Sequence, residues 1–543
     1  MNIDQGGKTE TKEDVDKNSD LESVLSDKIG EAYFHILPFK KLLICLLSLS
    51  LALFASFVDQ TSVSIALPSI GQDLNAETTI NWGPTASFLA NCVCQVLFGR
   101  LADIFGRKTI LLNCLIILSI GELACGFAQT GVQFYIFKAF TGIGCGGIQS
   151  LCMVLLSDVC TLEQRGKYQG LLLSQVGIGN AVGPFLMAAF IKYNSWRNFY
   201  HMMCPFVALI TVVLWYIIDT KESTQNMKSI LTRKEKFKKI DYFGIFFSSV
   251  SLVLLLIPIS GGGTTYSWDS ALVITMFVIG GVSFFIFLWF EYKAELPMIP
   301  LILFTRPSLA LILGSNFFFG MAYYSFTYYI AYYYQIIRDL DAIHSSILLL
   351  PLVLPQSIIS IIAGQIISYT GHYYYVIIVG YALWTLASGL TILFDLKTNY
   401  GVIVVVLLIL GSGVGCTFQP TMVAAQSQAQ KAERAVVIST RNVIRSFGGS
   451  IGNAFASLII SNSLLKEIKQ SNQLPTWYID YIKSHVYSKI DTNMLNDKQA
   501  LIVKTMYTKS IRNFFYFTIP LMAICLISNL FVKDDGLKCI DEK

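Results

Sequence analysis

The chain has 543 residues, of which 54% are hydrophobic and only 14% charged, with a mean hydropathy of +0.57. A soluble domain of this size would have to carry that apolar excess on its surface, so the composition excludes a soluble enzyme or free binding module and implies a polytopic membrane protein. The net charge of +5 does not point to nucleic acid, because lysines and arginines are needed to orient membrane spans.

Residues 1–40 are polar and acid-rich, from Asp4 and Glu10 through Asp27 and Glu31, and read as a disordered cytoplasmic tail. No cleavable leader opens the chain, so the first span is expected to serve as the targeting signal. Apolar windows of about 20 residues then follow one another. They lie near 42–67, 84–99, 109–128, 134–157, 169–191, 200–218, 242–260, 270–290, 308–333, 345–369, 374–394, 401–423, 436–463 and 511–532. Continuous runs of that length predict helices and not a barrel, so the expected fold is all-α with fourteen transmembrane helices.

Basic residues set the orientation. The connections 100–108, 158–168, 219–241, 291–307 and 424–435 and the tail 533–543 hold most of the lysines and arginines, and 219–241 forms a basic loop. Short connections on the other side carry only Lys192, Arg197, Arg338 and Lys397. Both termini are therefore expected in the cytoplasm. The stretch 464–510 holds several lysines and no long apolar run, and reads as a long outside loop.

The chain also echoes itself. "GRLADIFGRK" (99–108) returns as "GQIISYTGHY" (364–373), "GIGCG" (142–146) as "GSGVG" (411–415), and "IGNA" occurs at 178–181 and 451–454, with offsets of about 265, 269 and 273 residues. Chance matches would not hold such a register. The expected architecture is two six-helix bundles, 41–218 and 308–532, related by a pseudo-two-fold, with 242–290 as an inserted helix pair. Such halves rock about a substrate site near the membrane midplane.

These residues resemble the major facilitator superfamily and, within it, the fungal fourteen-span drug:proton antiporters, among them a yeast plasma-membrane exporter conferring crystal violet resistance. "VDQTSVSIALP" (58–68) is similar to the family's first-span signature, with Ser64 where asparagine is usual. "GRLADIFGRK" resembles its loop motif and "GIGNAVGP" (177–184) its antiporter motif, the latter with Met187 and Ala188 in place of the closing glycines. "FKAFTGIGCGG" (137–147) has Lys138 where the family has arginine. The resemblance implies a proton-driven antiporter that exports lipophilic cations without a cofactor.

In the loop motif, Gly99 and Gly106 permit close approach and a turn, while Asp103, Arg107 and Lys108 sit at the mouth of the cavity. Asp103 is expected to cap the positive end of span 13 near residue 436, as an inner latch, with Asp158 a second partner for Arg107. Gly179 and Gly183, four apart on span 5, permit tight helix contact, and Pro184 permits a bend. Asp59 in span 1 and Lys138 in span 4 can share a level, and Glu122 in span 3 lies nearer the midplane. Ionisable groups there are costly, so Asp59 and Glu122 are expected to carry protons, with the cationic substrate competing for the carboxylates beside Lys138. The carboxyl half offers only Arg441 and Arg445, near its inner mouth. In span 9, Tyr323, Phe326 and Tyr329 are candidates to stack on a flat cation, and Tyr332, Tyr333 and Tyr334 to form an interfacial belt.

Twelve cysteines fall mostly inside spans without metal-like spacing, so they read as packing residues and no metal is expected. No Walker-type glycine loop suggests ATP hydrolysis. The leading reading is a monomeric plasma-membrane exporter whose partners are cationic small molecules, protons and lipid. A vacuolar carrier of basic amino acids is the rival transporter, and a non-transporting membrane sensor is the alternative of another class.

Overall fold

A computed structural model describes residues 39–76, 79–80, 82–159, 162–217, 242–261, 267–293, 301–429, 434–470, 475, 478, 482, 496–534 and 536, among which there is no β-strand. Its fourteen long helices are α1 Phe39–Asp73, α2 Trp82–Phe105, α3 Arg107–Gly126, α4 Gly131–Val159, α5 Leu162–Tyr193, α6 Trp196–Ile217, α7 Tyr242–Gly261, α8 Ala271–Lys293, α9 Pro307–Tyr332, α10 Leu350–Thr370, α11 Tyr374–Leu390, α12 Tyr400–Phe418, α13 Arg434–Gln470 and α14 Asp497–Leu530. Every apolar window read from the sequence is helical.

Within the described residues, twelve of these helices are long and apolar enough to cross a membrane. The tail 1–38, the basic loop 219–241 and residues 537–543 lie outside the described residues.

The expected loop 464–510 needs correction. Helix α13 runs on to Gln470 and α14 begins at Asp497, opened by a reciprocal Asn496–Gln499 capping box. Hydropathy windows overlook helix ends that project beyond an apolar core, but the Asn-x-x-Gln spacing was a legible start signal.

The internal echo reappears as packing. In the first six helices α1 packs on α4, α5 and α6, α2 on α4, and α3 on α4 and α6. Among the last six, α9 packs on α13 and α14, α10 on α12, and α11 on α12 and α14. The glycines explain the matching approach distances. A Cβ on Gly142 or Gly146 would strike the α2 backbone at Ser87 or Asn91, and one on Gly144 the α3 carbonyl of Cys114. A Cβ on Gly411 or Gly415 would strike α10 at Leu352 or Gln356, and one on Gly413 the α11 backbone at Gly380 and Trp384.

Across the halves the partners exchange. Helix α2 packs on α13, and α10 on α5. Gly99 faces Ser439 of α13, whereas its echo Gly364 lies against Gly170 of α5. Both turn glycines of the echoed motif have a positive φ, 95° at Gly106 and 73° at Gly371, a region costly for any residue with a Cβ, although their ψ angles differ. Helices α7 and α8 pack on each other, and α7 touches α2 and α13. Phe285, Trp289 and Tyr292 of α8 are exposed.

Candidate translocation site

The acidic groups of the first half converge. The Lys138 ammonium on α4 donates to Asp59 of α1 in a fully buried ion pair. Glu122 of α3, also 0% exposed, is in electrostatic reach of both and lies against the Asp59 carboxyl, with no donor among the described residues for either of its oxygens. The Tyr200 ring of α6 lies over the Lys138 ammonium, with its centroid 4.7 Å away, and Cys145 Sγ stands 3.8 Å from Asp59 Oδ2. Every one of these partners belongs to the first six helices. The cluster is thus enclosed within one bundle and not laid open between the two.

Between the halves runs a neutral polar seam. On one side Gln95 Nε2 donates to Asn91 Oδ1 (2.7 Å) and Gln149 Oε1 (3.1 Å), Gln149 Nε2 donates to Ser56 Oγ (3.3 Å), and Ser446 of α13 reaches Gln95 Oε1 (3.5 Å). On the other, Asn180 of α5 donates to the Tyr323 hydroxyl (2.8 Å), which donates to Gln356 Oε1 of α10 (3.0 Å). Closer to the loop-motif end, Gln169 bonds Gln426 (3.3 Å) and Ser150 bonds Ser439 (3.0 Å). Toward the opposite end Phe88 meets Tyr324 edge to face. The halves therefore touch above and below the middle, as an occluded carrier requires.

Tyr323 is the hinge pin of that seam. Tyr323→Phe strands the Asn180 amide and Gln356 carbonyl, which costs the closed arrangement about 1–3 kcal/mol. In a protein whose single cysteine is Cys92, buried on α2 beside Ser450, alkylation by N-ethylmaleimide is expected to speed up about tenfold or more. An unchanged rate would show that the bridge does not hold the halves together.

Among the described residues, the charges near this seam are those of two arginines on α13. Arg441 and Arg445 are 0% and 3% exposed, and neither has a carboxylate partner among the described residues. Arg441 is anchored: its Nη2 donates to the Phe418 carbonyl (2.6 Å) and Thr421 Oγ1 (2.9 Å). That carbonyl is available because α12 breaks there. Pro420 opens a short helix, Pro420–Ser427, and Met422 N turns to Gln419 O (3.0 Å) instead of Phe418 O. Arg445 lies over the Phe418 ring, 4.5 Å from its centroid, and hydrogen-bonds to no described residue. It is in electrostatic reach of Cys92 on α2 and Tyr323 on α9, so it sits where the halves meet. At about 1.5 Å per residue it stands roughly 16 Å along α13, near the middle of a bilayer and not at its mouth.

The remaining sequence candidates divide. Gly179 and Gly183 seat α5 on α1, where a Cβ would meet Phe57 and Thr61, while Gly177 faces Ser357 of α10. Pro184 lies inside α5. Helix α2 meets α13 where the latch was expected, but Asp103 and Asp158 are described as backbone only. Lys108 donates to the Trp215 carbonyl (2.9 Å). Of the three stacking candidates, Tyr323 faces the seam, whereas Phe326 packs on Phe515 and Tyr329 on Phe514, both of α14 in the same half. The belt expectation fails for Tyr333 and Tyr334, which are buried with their hydroxyls on the Asp395 and Leu348 carbonyls.

A sequence model of the Major Facilitator Superfamily matches residues 49–290 and 235–453. The chain belongs to the Major Facilitator Superfamily. Among its relatives in this superfamily is Citrate exporter 1 of Yarrowia lipolytica, 40% identical over 510 residues that cover 94% of this chain and 75% of that protein. Efflux pump dotC of Dothistroma septosporum is 30% identical over 438 residues, 80% of this chain and 74% of the pump. The proton:xylose symporter XylE overlays with a TM-score of 0.56 at 12% identity, covering 93% of this chain and 99% of that one, a likeness of fold alone. The chain is thus a multi-pass membrane transporter of small molecules with exporter relatives, and its fold and kin are those of carriers, not enzymes.

Proposed function

We propose that this superfamily member exports small organic anions, carboxylates of the citrate class, by alternating access between its two six-helix bundles. One observation carries the reading: Arg445 is buried where the halves meet and Arg441 one turn away on the same helix, with no carboxylate among the described residues to balance either. A buried unpaired charge is strongly unfavourable unless a partner arrives, and guanidinium matches carboxylate in a two-pronged geometry. The polar seam of Asn180, Gln356, Gln95 and Tyr323 supplies neutral donors around it. The similarity to Citrate exporter 1 supports the same substrate class.

In this reading all fourteen helices span the membrane, the segments near 1–40 and 533–543 share the cytoplasmic side, and a monomer in the plasma membrane suffices. A second reading keeps proton-coupled export of lipophilic cations, with Asp59 and Glu122 as proton carriers. Their convergence on Lys138 favours it, and their enclosure within one bundle counts against direct contact with cargo.

Cells lacking their own exporters, loaded with labelled citrate or with ethidium, separate the two. Expression of this chain is expected to raise citrate efflux and leave ethidium retention unchanged. Energy-dependent loss of ethidium without any carboxylate efflux would reverse that order, and arginine uptake by isolated vacuolar vesicles would replace both readings.

A further inference from the structure

The charge of the empty site has an energetic consequence that rests on the proposed function. Arg441 and Arg445 stand one helical turn apart on α13, and arginine keeps its charge at any physiological pH. Their described partners are neutral: the Phe418 carbonyl and ring, Thr421, Asn442 and Met422. The other buried cation beside the described acids, Lys138, is already matched by Asp59 inside the first bundle. An empty site therefore holds two positive charges among neutral groups.

We propose that the site takes a carboxylic acid with two ionised carboxylates, so that the loaded carrier crosses close to neutral and the empty carrier returns bearing two positive charges. Voltage does work only on charge that moves through the field. With the cell interior negative, it pulls the empty cationic site back to the cytoplasmic side and leaves the loaded crossing nearly untouched. One cycle exports two negative charges, and no exchanged proton is needed to drive it. Two charges moved through the whole field correspond at equilibrium to a factor of roughly 2,000 per 100 mV, or about 4.6 kcal/mol.

Alternating access separates these steps experimentally, because exchange of substrate for substrate skips the empty return. The full-length protein is placed in proteoliposomes of neutral lipid with labelled succinate inside, equal pH on both sides and voltage set by potassium and valinomycin. An inside-negative voltage of about 100 mV is expected to speed net succinate efflux tenfold or more, part of the factor above, and to change succinate self-exchange less than twofold. Arg441→Gln, with one charge fewer, is expected to shrink the voltage effect on net efflux while self-exchange still registers binding. Equal acceleration of both modes, or net efflux indifferent to voltage, overturns the charge assignment and leaves anion export standing. Succinate and citrate both immobile in both modes overturn the proposed function together with it.

Discussion

Arg445→Ala is expected to lower citrate efflux about 100-fold or more without weakening the fold. The guanidinium meets no acceptor in the described structure, so its hydrogen-bonding capacity is held for cargo. Removing one member of a buried charge pair costs about 2–5 kcal/mol of binding, equivalent to roughly 30- to several thousand-fold. The stability effect has the opposite sign. Truncation removes an unbalanced charge from a dry interior, so the empty protein is expected to melt at the same temperature or higher, as binding groups held in strain often cause. Arg445→Lys keeps the charge but loses the planar fork, and is expected to recover part of the efflux. Transport assays in proteoliposomes beside thermal melts in detergent check the pair of effects. A variant that loses melting temperature and efflux together would mark Arg445 as structural.

Lys138→Ala is expected to produce the largest loss of stability. Asp59 and Lys138 are 0% exposed and bond each other, and deleting one partner of such a pair leaves an uncompensated buried charge, at a cost of about 3–5 kcal/mol. Glu122 alongside makes matters worse, since the same ammonium is the described cation that faces it. Neutralising the orphan should repair most of the damage, so the double variant Lys138→Ala with Asp59→Asn is expected to melt well above Lys138→Ala alone. Equal melting temperatures for the single and double variants would mean that the pair contributes little. The Asp59→Asn protein also serves the second functional reading: if it moves cations at all, efflux that matches the parent removes Asp59 from proton coupling.

Much of the fold was legible because its causes are local or periodic. Apolar run length marked the helices, and spaced glycines marked where backbones touch: Gly142, Gly144 and Gly146 meet α2 and α3 as their echoes meet α10 and α11. Gly106 and Gly371 both take a positive φ, which fits the glycine that each copy of the motif keeps at its turn. Two helix ends, at Gln470 and Asp497, were missed because a hydropathy window averages polar termini away, although the Asn496 cap could have been read.

The site was harder to read because its meaning depends on what each charge faces. Asp59, Lys138 and Glu122 stood out as expensive residues in apolar runs, and the sequence rightly brought the first two to one level. It could not say that helices of a single bundle close around them. Arg441 and Arg445 were noticed but set at the mouth, since counting residues from a loop gives depth along one helix and nothing about its neighbours. The "FQPT" break at 418–421 was the missed signal: the new helix turn that Pro420 opens draws Met422 N to Gln419 O and leaves the Phe418 carbonyl for a buried arginine.

Sequence alone thus determined the membrane class, the helices, the duplication and the family, because hydropathy, periodicity and motif spacing are properties of a chain read in order. Only the tertiary structure decided which charges are balanced. Balance is a matter of distances between residues far apart in the chain, and it separates Asp59 with Lys138, paired inside one bundle, from Arg445, unmatched where the two bundles meet, and Arg441, which no carboxylate balances among the described residues.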